Sequence, residues 1–248
     1  MLVVRTLATT YYSGYHIEPH AHPWGQLIYA SEGVMRVGAS DRLWLVPPAR
    51  ALWAPAAERH EIWAQGTFSM RTLYLAPRLG ALLPPQCQAI EVSPLLRELV
   101  LHVVSLGALD AGQADHRRLI GVLVDLLLTT EVLPLSLPMP RDQRARAVAE
   151  RLRANPSDPA EIGALARAAG ASSRTLQRLF ASETGLRFAE WRRRLRLLHA
   201  AALLSTGASV TEAGLDAGYQ STSAFIAAFR RQLGDTPLRY RNGRSQSE

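Results

Sequence analysis

Residues 161–185 read EIGALARAAGASSRTLQRLFASETG, and residues 210–234 read VTEAGLDAGYQSTSAFIAAFRRQLG. The two segments share one plan. Each has a short helix, a turn carrying glycine (Gly170, Gly218), and a longer helix that starts on Ser and Thr and stops at glycine (Gly185, Gly234). Glycine in the turn permits the positive φ of a sharp reversal. Phe180 in one longer helix, and Phe225 and Phe229 in the other, are the inward-facing aromatics. This is the grammar of a helix-turn-helix. One copy is a weak signal, because many helical pairs have a glycine between them. A second copy, whose longer helix starts at Ser221 where the first starts at Ser172, is a strong one.

The charge agrees with that reading. The chain has 248 residues with 28 basic side chains, all Arg, against 21 acidic ones, a net charge of +7. Residues 1–138 hold 10 Arg and 11 acidic residues, whereas residues 139–248 hold 18 Arg and 10 acidic residues. The excess positive charge therefore lies in the half that carries the repeat, as expected of a module that binds a polyanion. Candidate DNA contacts are the starts of the two longer helices: Ser172, Ser173, Arg174, Thr175, Gln177 and Arg178, then Gln220, Ser221, Thr222, Ser223 and Arg230. Gln177 and Arg178 can each make bidentate contacts to a base edge. Arg192, Arg193, Arg194, Arg231 and Arg239 are read as phosphate-facing or solvated. A joining helix, Phe188–Ser205, would hold the two heads so that both reach adjacent major grooves on one side of B-DNA, about 34 Å apart.

Residues 141–241 resemble the DNA-binding domain of the AraC/XylS family of bacterial transcription regulators. The resemblance rests on Ala166 and Gly170, on Ser172, Leu176 and Phe180, and on Thr184-Gly185. It continues through Arg196-Leu197, Ala200 and Leu203-Leu204 to Gly218-Tyr219, Ser223, Phe225, Phe229, Gly234, Thr236-Pro237 and Tyr240-Arg241. Gly214 departs from it, because the family usually has Ala there. Glycine inside a helix costs about 1 kcal/mol relative to Ala.

Upstream, the periodicity changes twice. Residues 1 to about 80 carry short strand signals, among them Gln26–Tyr29, Val34–Val37, Leu43–Val46, His60–Ala64 and Ser69–Leu75, separated by turn formers. That pattern predicts a sandwich or small barrel. From Ser93 the apolar residues follow helical spacing, and a second helix is expected from about Gln113 to Glu131. It is apolar over most of its circumference, so burial on several sides is expected. LPLSLPMP, residues 133–140, cannot continue a helix and reads as a stiff linker. The expected organisation is a two-domain α+β chain. It comprises a cupin-like β-barrel over 1–80, a helical coupling or dimerisation segment over 81–132, a linker over 133–140, and an all-α double helix-turn-helix domain over 141–242.

Residues 14–33, GYHIEPHAHPWGQLIYASEG, together with PAAERH at 55–60, resemble the two cupin motifs. Gln26 stands where metal cupins usually have Glu, Ala57 where Gly is usual, and Ala64 where Asn is usual. On a strand, residues i and i+2 face one side, so His20 and His22 can enter the barrel together and His60 can reach them from a neighbouring strand. Three imidazoles and the Gln26 carbonyl would suit Zn, Ni, Fe or Mn. The same residues with Trp24 would equally line a metal-free effector pocket, and no cofactor is required by that reading. Trp24, Trp44, Trp53 and Trp63 either fill a small core or stack on a flat effector. HAHPWGQLIYASEG with VPPARALWAPAAERH is similar to a subgroup of these regulators that often control a neighbouring transporter gene.

Cys87 is the sole cysteine, which excludes an internal disulfide and a multi-Cys zinc site. The most apolar run, Leu119 to Leu128, contains Asp125 and is too short to span a bilayer. No signal-peptide pattern opens the sequence, so a cytoplasmic protein is expected. The resemblance implies a regulator that binds double-stranded promoter DNA, answers a small-molecule or metal effector and works with RNA polymerase; the apolar helices between residues 94 and 131 offer a seam for a homodimer, or pack on the barrel or on each other. The alternative is a metal-dependent cupin enzyme, a dioxygenase or isomerase. The missing Glu and the entire second domain weigh against it.

Overall fold

The computed structural model describes residues 1–64, 66–133 and 135–242; Pro134, within the expected linker, lies outside the described residues. The chain divides into two compact units, residues 1–40 with 44–135, and residues 41–43 with 136–248.

The first unit is rich in strands: β1 (Leu2–Tyr11), β2 (His16–His20), β3 (Gly25–Glu32), β4 (Met35–Ala39), β5 (Arg42–Val46), β6 (Arg50–Ala54), β7 (His60–Ala64) and β8 (Phe68–Leu75). A single turn, α1 (Pro77–Gly80), and β9 (Gln88–Glu91) follow, then α2 (Pro94–Leu106), β10 (Ala108–Asp110), α3 (Ala114–Thr129) and β11 (Val132–Leu133). One sheet has seven strands in the order β10-β1-β8-β3-β6-β9-β11, and the strands of the first unit in the other sheet run β5-β4-β7-β2. Strand pairing thus continues through β9, β10 and β11 into residues expected to be helical. Each is only two to four residues long and carries no alternation that a sequence pattern could register.

Period-2 alternation sorts the side chains of the larger sheet. Leu27 and Tyr29 on β3, and Leu73 and Leu75 on β8, pack with Leu96, Val100 and Val103 of α2 and Leu123 and Leu127 of α3 in one hydrophobic cluster. Gln26 and Thr72, offset by one residue, take the opposite face. α3 buries Ile120, Leu123, Val124 and Leu127, whereas Val122 and Leu128 are exposed. The expected burial on several sides is therefore corrected to a single buried face. Total apolar content does not show which side of α3 meets the cluster.

The second unit begins with the short strand β12 (Ser136–Pro138) and is otherwise helical: α4 (Gln143–Ala154), α5 (Ile162–Ala168), α6 (Ser173–Thr184), α7 (Phe188–Ser205), α8 (Val210–Asp216), α9 (Thr222–Leu233) and α10 (Pro237–Asn242). α5 starts after Glu161, and just ahead of it the buried Asp158 carboxylate accepts from Ala160 N at 2.8 Å and from Arg151 at 2.9 Å. The repeat is present in the backbone. Ala171 N donates to Ala166 O, and Tyr219 N donates to Gly214 O, each at 2.9 Å, closing the two turns in the same way. Phe180, Phe225 and Phe229 are fully buried. Trp191 of α7 packs edge-on to Phe180 and donates to Pro138 O.

Candidate DNA-reading helices and a histidine cluster

Each longer helix of the repeat is capped by its first serine. Ser172 Oγ accepts from Thr175 N at 3.1 Å and lies 2.9 Å from Thr175 Oγ1, and Ser221 Oγ accepts from Ala224 N at 3.4 Å. Three hydroxyls expected to face DNA, those of Ser172, Thr175 and Ser221, thus also hold the helix starts. Arg174, Gln177 and Arg178 on α6 are exposed, as are Thr222, Ser223 and Arg230 on α9 and Gln220 just before it. Their side chains form no hydrogen bond or ion pair among the described residues. Ser173 is half-buried where α6 meets α5, its Oγ close to Gly163. The inward faces carry Leu176, Leu179 and Phe180 on α6, and Phe225, Ala228 and Phe229 on α9. Each helix therefore has one apolar side fixed in the unit and one polar side on which Arg174, Gln177 and Arg178, or Thr222, Ser223 and Arg230, make no side-chain hydrogen bond among the described residues.

Among the arginines set aside for phosphate or solvent, Arg192 is already engaged. It donates to Ala160 O at 2.8 Å and to Asp158 O. Arg196 donates to Pro156 O at 3.0 Å. These two guanidiniums pin the loop ahead of α5 to α7, a role that spacing in the sequence does not reveal.

In the first unit, His20 on β2 lies directly across from His60 on β7. His22 falls just past the end of β2, so strand alternation does not place it. Its carbonyl accepts from Ala57 N at 2.9 Å, which holds the loop in position. Ala57 has a φ of +63°, the left-handed conformation that explains the usual glycine there. The ring centroids are 4.4 Å apart for His20–His60, 5.2 Å for His22–His60 and 5.9 Å for His20–His22. One ring nitrogen of each lies within 4.8 Å of the others.

Protonation follows from the partners. His20 Nδ1 donates to Glu18 O, His22 Nδ1 to Trp24 O and His60 Nδ1 to Glu58 O, at 2.9, 2.6 and 2.9 Å. A carbonyl only accepts, so each proton sits on Nδ1 and each neutral ring keeps a lone pair on Nε2. Gln26 Nε2 donates to Thr72 Oγ1 at 2.9 Å, and that hydroxyl donates to Leu27 O at 2.8 Å. The amide is thereby oriented with Oε1 toward His22 Nε2, 2.9 Å away. Two acceptors face one another there unless a proton or a cation lies between them. Buried His60 Nε2 has no partner. Burial, above all, pushes the His60 pKa down, and His20 and His22 push the same way. With neutral rings the set offers three Nε2 lone pairs and the Gln26 oxygen, a donor set that fits a borderline divalent ion.

Trp24 is half-buried away from this cluster, with the Arg5 guanidinium 4.6 Å over its ring. Trp44 and Trp53 are buried in the core, and Trp63 stacks on His16 at 5.2 Å. His16 also lies 3.0 Å from Glu61. That contact is invisible in the sequence because β2 and β7 meet only in the sheet.

A family model described as an AraC-like ligand binding domain matches residues 3–119, and one described as a helix-turn-helix domain matches residues 165–243. The HTH-type transcriptional regulator NimR of Escherichia coli (strain K12) is 36% identical over 224 residues, 89% of this chain and 81% of that protein. The HTH-type transcriptional regulator RipA of Corynebacterium glutamicum is 41% identical over 106 residues, 43% of this chain and 32% of that protein. Among solved structures, ToxT from Vibrio cholerae has a TM-score of 0.41 at 10% identity, over 96% of this chain and 95% of that one. Among the described residues, no helix is long and apolar enough to cross a membrane.

Proposed function

Since the chain belongs to the AraC family of transcriptional regulators, with a ligand-binding domain ahead of a helix-turn-helix DNA-binding domain, we propose that it reads promoter DNA through α6 and α9 while the histidine cluster receives the signal. Arg174, Gln177 and Arg178 read one major groove. Gln220, Ser221, Thr222, Ser223 and Arg230 read the next, and Ser172, Ser173 and Thr175 set the approach of α6. The observation that carries this reading is the free polar face on each of two helices whose opposite faces are locked in aromatic cores.

His20, His22, His60 and the Gln26 carbonyl would hold Zn, Ni, Fe or Mn, which would supply a Lewis-acidic point for an effector to bind. Bound signal must favour one arrangement of the regulator over another, since equal affinity for both shifts nothing. The exposed leucines Leu95 and Leu106 of α2 and Leu128 of α3 support pairing of two copies. The regulator works in the cytoplasm, acts on RNA polymerase at its promoters, a neighbouring transporter gene among them, and catalyses no reaction.

The test is selection of duplexes from a random library by the full chain. Two conserved elements about 10 base pairs apart are expected in the selected pool. Arg178→Ala should then relax base preference at one position by about 1–3 kcal/mol. A pool without enrichment, or an Arg178→Ala variant with unchanged preference, would overturn the assignment.

A further inference from the structure

Between the two repeats, within the second unit, lies a cleft of about 750 Å³. Its walls come from both motifs. Glu161 and Ile162 open the first helix of the first motif, while Tyr219 and Gln220 form the turn that leads into α9. Its floor is one face of α7, with Arg192, Arg193 and Arg196.

These three guanidiniums are not equivalent. Arg192 and Arg196 spend donors on carbonyls of the loop 156–160. Arg193 is exposed and makes no hydrogen bond or ion pair among the described residues. The cleft is positive, because among the described residues that line it one carboxylate, Glu161, stands against three arginines. Burial raises the Tyr219 pKa above its ordinary value, and Arg193, Arg196 and Arg231 oppose that rise only in part. That hydroxyl is itself buried without a hydrogen-bond partner. The joining helix thus holds three guanidiniums in one cleft, and none of the three forms an ion pair among the described residues.

We infer that Arg193 is a third DNA contact, seating the phosphodiester backbone that passes between the two recognition helices. This rests on α6 and α9 being the groove readers. In helix-turn-helix docking the first helix of a motif crosses the backbone while the start of the second enters the groove. Both walls of this cleft are such elements: the beginning of α5 and the residues just ahead of the α9 cap. A duplex long enough to reach both readers must lay the intervening backbone across the cleft. A phosphate there meets a guanidinium with all its donors free, on a helix held in place by its two engaged neighbours. Because a phosphate carries no base identity, the contact adds affinity without sequence preference.

The experiment uses the full chain and a duplex selected by the unaltered protein. Arg193→Ala should flatten the dependence of log Kd on log salt by about one. Its affinity should fall by a similar factor on the selected duplex and on single-base variants of it, and Arg193→Lys should restore the slope. Ethylating phosphates midway between the two groove sites should hinder the unaltered protein and cease to hinder Arg193→Ala. An unchanged slope, a loss confined to certain base variants, or no interference at the central phosphates would overturn the inference. Failure to select any duplex would instead overturn the reading of α6 and α9, and this contact with it.

Discussion

His60 shows what a single side chain contributes. It is almost completely buried, its Nδ1 proton is fixed on Glu58 O, and its Nε2 is unpartnered. Its folded pKa lies below the ordinary 6.5, chiefly through burial. In the unfolded chain His60 therefore takes up a proton at a pH where the folded form does not. The stability it permits is fully present above about 6.5 and is lost as pH falls toward the lower folded value. In metal-free protein, urea unfolding followed across that window should show stability rising with pH, and His60→Gln should flatten the rise. An identical slope in the variant would remove His60 as the cause. The histidine set itself was legible from its spacing in two short motifs. The tautomers, and the orientation of Gln26 toward His22 through Thr72, were not, because they depend on carbonyls and hydroxyls brought in by other strands.

At the level of elements, the two helix-turn-helix copies solve one packing problem in different ways. Ala166 precedes the turn glycine Gly170 by four residues, as Gly214 precedes Gly218. The first copy has Leu176 on the facing helix, and the second has the larger Phe225. A Cβ added at Gly214 would stand 3.0 Å from Phe225 Cδ1. Tyr219 and Phe229 close on that ring at 5.4 and 5.5 Å, so it has little room to retreat. Read alone, Gly214 is a helix defect; in place, it is the space the Phe225 ring needs. Gly214→Ala gains about 1 kcal/mol of helix propensity against an overpacking cost of about 1–3 kcal/mol, so denaturant unfolding should show net destabilisation. Adding Phe225→Leu, which recreates the Ala166–Leu176 combination, should relieve the overpacking. A single variant more stable than the parent would refute this account. Helices with clear periodicity, such as α2 and α7, were readable in advance. The short strands β9, β10 and β11 were not, since two to four residues carry no usable period and gain their pairing only from the sheet edge.

For the whole molecule, the division of charge matches the division of labour. The near-neutral first unit contains the histidine cluster, and the Arg-rich second unit contains the repeat. Four of the five tryptophans, Trp24, Trp44, Trp53 and Trp63, lie in the first unit, so tryptophan fluorescence reports mainly on it. If the cluster holds a divalent ion as proposed, that ion would stabilise the folded form by mass action, about 2.7 kcal/mol when free ion exceeds Kd a hundredfold. Adding Ni or Zn should raise the melting temperature seen by fluorescence, and a chelator or His60→Ala should abolish the shift. A melting curve indifferent to the ion would exclude the metal reading and leave the cluster as part of a metal-free pocket.

The sequence by itself determined the family and the double helix-turn-helix, and it singled out the side chains proposed to meet DNA or a ligand. Those features are written in local periodicity, glycine placement and residue type, which act over a few residues. The tertiary structure alone decided which arginine is free and which is spent on a loop, which way the Gln26 amide points, and why Gly214 is tolerated. Each of these depends on groups distant in the chain, brought within a few ångströms only by packing, and no local pattern encodes such a meeting.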